Sequence, residues 1–240
     1  GYNLISFDYS QMEVRVFLSY LRNTAMMELL NRNDVDFHGE AAKIAFDITE
    51  DHADFKEYRQ LAKGITFGII YGIGSERLAQ QLRTTKREAS QYKKRYLDGI
   101  EGSREFIRGV MKAVEERGWI KNRYGRVYKV PSTMSYKGVN YLVQGTSADI
   151  LNERLIEVSK LLQNTKSKML LQVHDEIILE MHDDEIYELV PQIVDIMQTN
   201  SLDIPLFVDK EVCPDSWANK VDYEKWVTSP KQDGTLKHIT

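Results

Sequence analysis

Met169-Leu170-Leu171-Gln172-Val173-His174-Asp175-Glu176-Ile177-Ile178-Leu179-Glu180 sets two short apolar runs on either side of three polar residues. Runs this short, rich in branched side chains, read as neighbouring antiparallel strands, and His174-Asp175-Glu176 is then the tip of a hairpin. The opening Asn3-Leu4-Ile5-Ser6-Phe7-Asp8 has the same character, a short buried strand that ends on a carboxylate, and Leu206 to Val212 reads as a further strand. Carboxylates at the ends of adjacent strands can converge on one point. Hard divalent cations use such oxygen ligands, and Mg²⁺ typically takes one or two of them together with substrate phosphates. Read singly, Asp8 is better explained as a cap for the helix that starts near Gln11, and Asp175 and Glu176 as ordinary turn residues.

Helical patterns fill the space between these strands. Met12, Val16 and Tyr20 share a stripe after Gln11, and a short helix is expected within 34–52, begun near Asp36 and His38. Residues 53–71 carry a long helical pattern stopped by Gly72 and Gly74. Residues 75–117 read as wholly helical, with a break at Gly99 and Gly102. Trp119 to Val130 alternates and turns at Tyr124-Gly125-Arg126, and 137–163 and 183–200 are again helical. Strands at both ends with helices inserted between them predict an α+β fold, a helical subdomain interrupting an antiparallel-sheet subdomain. The stretch from Asp215 onward reads as peripheral.

Arg59, Lys63, Phe67 and Tyr71 recur every four residues of the 53–71 helix and so share one stripe. Two cations followed by two aromatic rings suit the phosphates and base of a nucleotide. The same stripe could also be an exposed cationic end and two core aromatics. With 42% hydrophobic residues the chain of 240 is not disordered, and its single cysteine excludes an internal disulfide and a cysteine-rich zinc site. No apolar run approaches the roughly 18–20 residues that span a bilayer. The net charge of −4 hides a polarised chain: residues 56–129 sum to +10 and residues 174–240 to −10. A basic middle suits a polyanion, although solvated helical faces give the same totals.

Four blocks then make a resemblance specific. Asp8-Tyr9-Ser10-Gln11-Met12-Glu13-Val14-Arg15 closely resembles motif A of family A DNA polymerases. Arg59-Gln60-Leu61-Ala62-Lys63-Gly64-Ile65-Thr66-Phe67-Gly68-Ile69-Ile70-Tyr71-Gly72 resembles motif B, and Gln172-Val173-His174-Asp175-Glu176 motif C. Val143-Gln144-Gly145-Thr146-Ser147-Ala148-Asp149 is similar to a further family segment. The blocks stand in family order, and the similarity covers about residues 2–220.

The resemblance implies template-directed DNA synthesis. The primer 3′ oxygen attacks the α-phosphorus of a deoxynucleoside triphosphate and pyrophosphate leaves, with two Mg²⁺ ions at the centre, replaceable by Mn²⁺. It assigns residues 1–35 and 130–215 to the palm, 36–129 to the fingers and 216–240 to a C-terminal tail. Asp8, Asp175 and the backbone carbonyl of Tyr9 are the implied metal ligands, with Glu176 as accessory carboxylate. Arg59, Lys63 and His38 match residues that grip the incoming triphosphate, Lys63 with a catalytic role. Gln11 and Phe67 fall on nucleotide-binding positions, and a Phe at the latter goes with poor use of dideoxynucleotides. Glu13 matches the steric gate against a ribose 2′-hydroxyl, and Tyr71 is placed near the nascent base pair. Asn140 and Gln144 would read minor-groove acceptors, His174 would meet the primer terminus, and Arg15 is read as structural support. The implied partners are primer-template DNA, deoxynucleoside triphosphates and an N-terminal polymerase part carrying the thumb or an exonuclease, with no membrane and a cytoplasmic location in a bacterial or phage-infected cell.

The pattern departs from the family at Thr66, where many relatives have Asn, and before Asn140, where an Arg often found there is lacking. The chain opens on the motif A strand and is expected to be a catalytic piece without thumb. A single-subunit RNA polymerase is a competing reading that Glu13 and the Gln144 block fit less well. A non-enzymatic fragment that binds DNA or nucleotide is the other.

Overall fold

The computed structural model describes residues 1–21, 28, 31–32, 35–214 and 216–229. The chain opens with β1 (Tyr2–Tyr9) and α1 (Met12–Leu21), followed by α2 (Phe37–Phe46) and α3 (Phe55–Ile70). Next come α4 (Ser75–Leu82), α5 (Lys86–Gly99) and α6 (Ser103–Arg117), then the short strands β2 (Trp119–Lys121) and β3 (Val127–Lys129). A 3₁₀ turn over Ser132–Lys137 leads into α7 (Gly138–Leu161). The chain continues through β4 (Lys168–Val173), β5 (Glu176–His182), α8 (Ile186–Gln198), β6 (Val208–Cys213), β7 (Val221–Asp222) and α9 (Tyr223–Thr228). The mixture of helices and antiparallel sheet is the expected α+β class.

These elements form two compact units, Gly1–Met12 with Ala148–Thr240, and Glu13–Ser147. The first holds a sheet in the order β4-β5-β1-β6-β7 with antiparallel neighbours throughout. β1 lies in the middle, so Ile5, Ser6 and Phe7 are buried in succession instead of alternating with exposed residues. β5 beside it buries Ile177, Ile178, Leu179 and Met181. β4 is an edge strand with a register shift between Met169 and Leu171, and Leu170 and Leu171, expected in an apolar run, are about half exposed.

The stretch expected as a peripheral tail is part of this sheet. Val221 pairs with Val212 and Asp222 with Glu211, and α9 then buries Tyr223 and Val227. A two-residue strand has too little pattern to be read from sequence. Residue 215 and residues 230–240 of that tail lie outside the described residues, as do 22–27, 29–30 and 33–34, near the expected end of the first palm segment.

The second unit is helical apart from the β2–β3 hairpin. That hairpin turns at Gly125 (φ 84°), and the buried Asn122 side chain organises it, its Oδ1 accepting from the N–H of Tyr124 at 3.1 Å and of Arg126 at 2.9 Å. Residues 75–117 are not one helical run broken only at Gly99 and Gly102. A further break falls at Arg83-Thr84-Thr85, where Thr85 and Glu88 form a reciprocal capping box that starts α5. The helix expected over 53–71 is α3, and it stops where Gly72 turns at φ 69°. A Cβ on Gly72 would fall 2.3 Å from the Tyr136 carbonyl oxygen, so only glycine fits. Contacts also assign α1 and the start of α7 to this unit: the Tyr20 hydroxyl lies 2.7 Å from Thr146 Oγ1, and the Tyr20 ring stacks on Phe106 at 5.3 Å. Among the described residues no helix is long and apolar enough to cross a membrane.

Candidate active site

Sheet register gathers carboxylates at one end of the first unit. Asp8 lies opposite Glu176 across one edge of β1 and opposite Asp209 across the other. His174 and Asp175 form the two-residue tip between β4 and β5, and the Tyr9 N–H donates to the Asp175 carbonyl at 3.4 Å. His174 holds φ 55°, a conformation that costs a non-glycine residue energy and recurs at functional sites, and Gln172 Nε2 steadies it by donating to its carbonyl at 2.8 Å. Gln11 also sits at φ 55°, and its buried Oε1 has no hydrogen-bond partner among the described residues. The Tyr9 ring is turned inward, its hydroxyl donating to the Met197 carbonyl at 2.6 Å, so only its backbone could serve as a ligand.

These carboxylates disturb one another. Burial, then the neighbouring charges of Asp175, Glu176 and Asp209, push the Asp8 pKa up to about 6, with Lys220 pulling the other way. Burial likewise raises Asp175. Burial would raise Glu176 too, but the hydrogen bonds from Lys220 and Trp217 and the Lys220 charge outweigh it and hold its carboxyl below the usual range. Repelling oxygen donors of this kind suit a hard divalent cation, which relieves the repulsion. Among the described residues no three His, Cys, Asp or Glu side chains are grouped to hold a metal on their own. A carboxylate pair completed by substrate phosphates is the manner in which Mg²⁺ is usually held.

The second unit assembles the cation and aromatic stripe. Arg59 Nε donates to Asp36 Oδ2 at 2.5 Å, so this guanidinium is already paired within the protein. His38, buried beside it, is pushed down to a pKa of about 4 by burial and by the charges of Lys63 and Arg59, so at neutral pH it is an uncharged imidazole. Its Nδ1 and Asp36 Oδ1 are buried without partners among the described residues. Lys63 is exposed on the same face of α3. The rings of His38 and Phe67 lie 6.1 Å apart and those of Phe67 and Tyr71 5.9 Å, so the stripe runs unbroken along the helix. At its end the Tyr71 hydroxyl donates to Glu13 Oε2 at 2.9 Å, and Gln144 Nε2 donates to Glu13 Oε1 at 3.2 Å. Glu13 is thus fixed from α3 and from α7. Asn140, half-buried one turn before Gln144, makes no part of this chain of contacts, and Thr66, the departure in motif B, donates its hydroxyl to the Ala62 carbonyl at 2.9 Å. Arg15 is buried.

Sequence reading missed Asp36 as the partner of Arg59, Asp209 as a member of the acidic end, and Lys220 and Trp217 against Glu176. A usable signal existed only for Asp36, two residues before His38. The others depend on β6 and β7 pairing, which no local pattern announces.

Comparison with known proteins gives the family. The family model described as DNA polymerase family A matches residues 1–219. DNA polymerase I of Bacillus caldotenax is 32% identical over 169 residues, covering 66% of this chain and 19% of that protein. DNA polymerase I of Bacillus subtilis (strain 168) is 31% identical over 225 residues, covering 88% of this chain and 25% of that protein. The POL domain of Pol1 from M. smegmatis, solved in complex with DNA primer-template and dNTP, superposes with a TM-score of 0.80 at 29% identity, covering 88% of this chain and 39% of that one. The chain therefore spans about a fifth to a quarter of the length of these curated relatives.

Proposed function

The chain belongs to DNA polymerase family A, and from that premise we propose that it carries out the nucleotidyl transfer of template-directed DNA synthesis, adding deoxynucleoside triphosphates to a primer 3′ end. The observation that carries this reading is the convergence of Asp8, Asp175 and Glu176 at the sheet end, where burial and then the neighbouring carboxylates push the Asp8 pKa up to about 6. Asp8, Asp175 and the Tyr9 carbonyl would hold Mg²⁺, with Mn²⁺ able to replace it, and the bound ions supply charge stabilisation to the attacking and leaving oxygens of the displacement.

The chain's own residues do the rest. Lys63 binds the triphosphate and neutralises charge as pyrophosphate leaves. Arg59 joins it by exchanging Asp36 for phosphate, a swap of one anion for another on the same planar donor set. His38, uncharged, donates a hydrogen bond and adds no charge. Gln11, whose Oε1 has no hydrogen-bond partner among the described residues, lines the nucleotide site, and Phe67 stacks near the base and sugar. Glu13, held from two sides by Tyr71 and Gln144, fills the space of a ribose 2′-hydroxyl, and a carboxylate that cannot swing aside rejects a ribonucleotide better than a mobile one. Asn140 and Gln144 read minor-groove acceptors common to all base pairs. The exposed His174 meets the primer terminus, and the +10 charge of residues 56–129 draws the polyanion. An N-terminal polymerase part with a thumb is the proposed partner for gripping the duplex, in a cytoplasmic setting.

The test is extension of a labelled primer on a template in Mg²⁺ with each nucleotide supplied singly. Only the complementary deoxynucleotide should be added, by the chain alone or with a thumb-bearing partner, and none by Asp8→Ala or Asp175→Ala. Ribonucleotides used as readily as deoxynucleotides would favour an RNA polymerase instead.

A further inference from the structure

Lys220 sets a cation against the acidic sheet end, where it pairs with Glu176 and acts on Asp8, and it comes from the segment expected to be peripheral. Its Nζ is paired with Glu176 Oε1 and lies 3.1 Å from Glu211 Oε2. Trp217 Nε1 also donates to Glu176 Oε1, at 3.4 Å. The pairing of β7 with β6 begins at the next residue, Val221 opposite Val212, so the backbone that presents Lys220 is anchored to the sheet. The Glu176 side chain is only 12% exposed and the Lys220 side chain 28%, which shields the pair from competing water and ions. Lys220 stands one residue past the stretch matched by the family model.

Oε1 accepts from both the ammonium and the indole and has little capacity left for a cation, and the two contacts fix the orientation of the whole carboxylate. We propose that Lys220 is a positioning residue that holds Glu176 out of the divalent ion's ligand set, leaving Asp8 and Asp175 as the carboxylates that take the ion. This rests on the reading of Asp8 and Asp175 as a metal centre. Glu176 directly follows Asp175, and unpaired it would be a third carboxylate within reach of the same ion. Three anionic ligands would bind the ion more tightly and spend coordination positions that substrate phosphates need. Lys220 thus keeps the centre open to substrate.

Mn²⁺ binding to the full chain, read by the electron paramagnetic resonance signal of free Mn²⁺ without nucleotide or DNA, separates the possibilities. Lys220→Met should bind Mn²⁺ roughly three- to tenfold more tightly than wild type, because one nearby positive charge is lost and one carboxylate is released. Lys220→Arg should bind as wild type does. Adding Glu176→Gln to Lys220→Met should reverse most of the gain, and Glu176→Gln alone should weaken binding by no more than the roughly threefold expected for losing one nearby negative charge, well short of the loss of a ligand. In primer extension Lys220→Met should lower kcat with the KM for nucleotide little changed, and Lys220→Arg should restore it. A folded Lys220→Met with wild-type Mn²⁺ affinity overturns the proposal. So does a tenfold loss of affinity in Glu176→Gln, which stays informative if Lys220→Met does not fold. If Asp8→Asn leaves wild-type Mn²⁺ binding intact, the metal-centre reading falls and this inference with it; if Asp8→Asn abolishes binding while the Lys220 and Glu176 variants behave otherwise than stated, the inference alone falls.

Discussion

Replacing Asp8 by asparagine should stabilise the protein while destroying its activity. Asp8 titrates at about 6 in the folded chain against an ordinary 3.8, so the native state binds its proton more tightly than the unfolded state does. Between those values the unfolded chain carries fewer protons, and native stability falls as pH rises from about 4 to about 6 and then levels off. Two pKa units correspond to roughly 3 kcal/mol. Asp8 is only half-buried, and solvent screening reduces that to about 1–1.5 kcal/mol. Asparagine keeps the shape and removes the charge, so Asp8→Asn should be more stable by about that amount at pH 7, or about 3–5 °C in Tm for a chain of this size. Near pH 4 the difference should vanish. Unfolding of both proteins in EDTA from pH 3.5 to 8 measures this, and Mg²⁺ should raise wild type selectively. A variant less stable than wild type at pH 7, or a difference that does not change with pH, would show that the acidic cluster does not strain the fold.

Phe67→Tyr should increase dideoxynucleotide incorporation severalfold with little effect on ordinary extension, measured by termination ratios at matched concentrations; an unchanged ratio counts against placing Phe67 at the sugar. Glu13→Ala should raise ribonucleotide incorporation by two orders of magnitude or so, and Tyr71→Phe, which removes only the 2.9 Å hydrogen bond to Glu13, should give a smaller rise in the same direction. A Cβ on Gly145 would fall 1.9 Å from the Tyr128 hydroxyl, so Gly145→Ala should cost about 1–3 kcal/mol in chemical denaturation, and Tyr128→Ala in the same chain should recover part of the loss.

What could be read before the fold was known followed from local periodicity. The motif C hairpin, the central strand ending at Asp8 and the four-residue spacing of Arg59, Lys63, Phe67 and Tyr71 are written within a few residues each, because strand and helix periods leave local traces. Non-local pairing left no such trace. Asp209 faces Asp8 only because β6 joins β1 from some two hundred positions away, and Lys220 meets Glu176 only because a two-residue β7 extends the sheet. The Arg59–Asp36 pair was hidden differently: Asp36 stands at the start of α2 without a side-chain capping bond and pairs instead with a guanidinium on the next helix. Helix boundaries at Arg83–Thr85 were obscured by a charged, evenly helical composition, although Thr85 and Glu88 at three-residue spacing spelled out the capping box.

The most direct measurement is single-turnover incorporation of one correct deoxynucleotide into a saturating primer-template, comparing wild type with Asp175→Ala and Lys63→Ala. If the carboxylates and the cation stripe serve one phosphoryl transfer, the incorporation rate should fall by at least about a hundredfold in each variant, while Asp175→Ala binds primer-template within about twofold of wild type. Incorporation at the wild-type rate by either variant would contradict it.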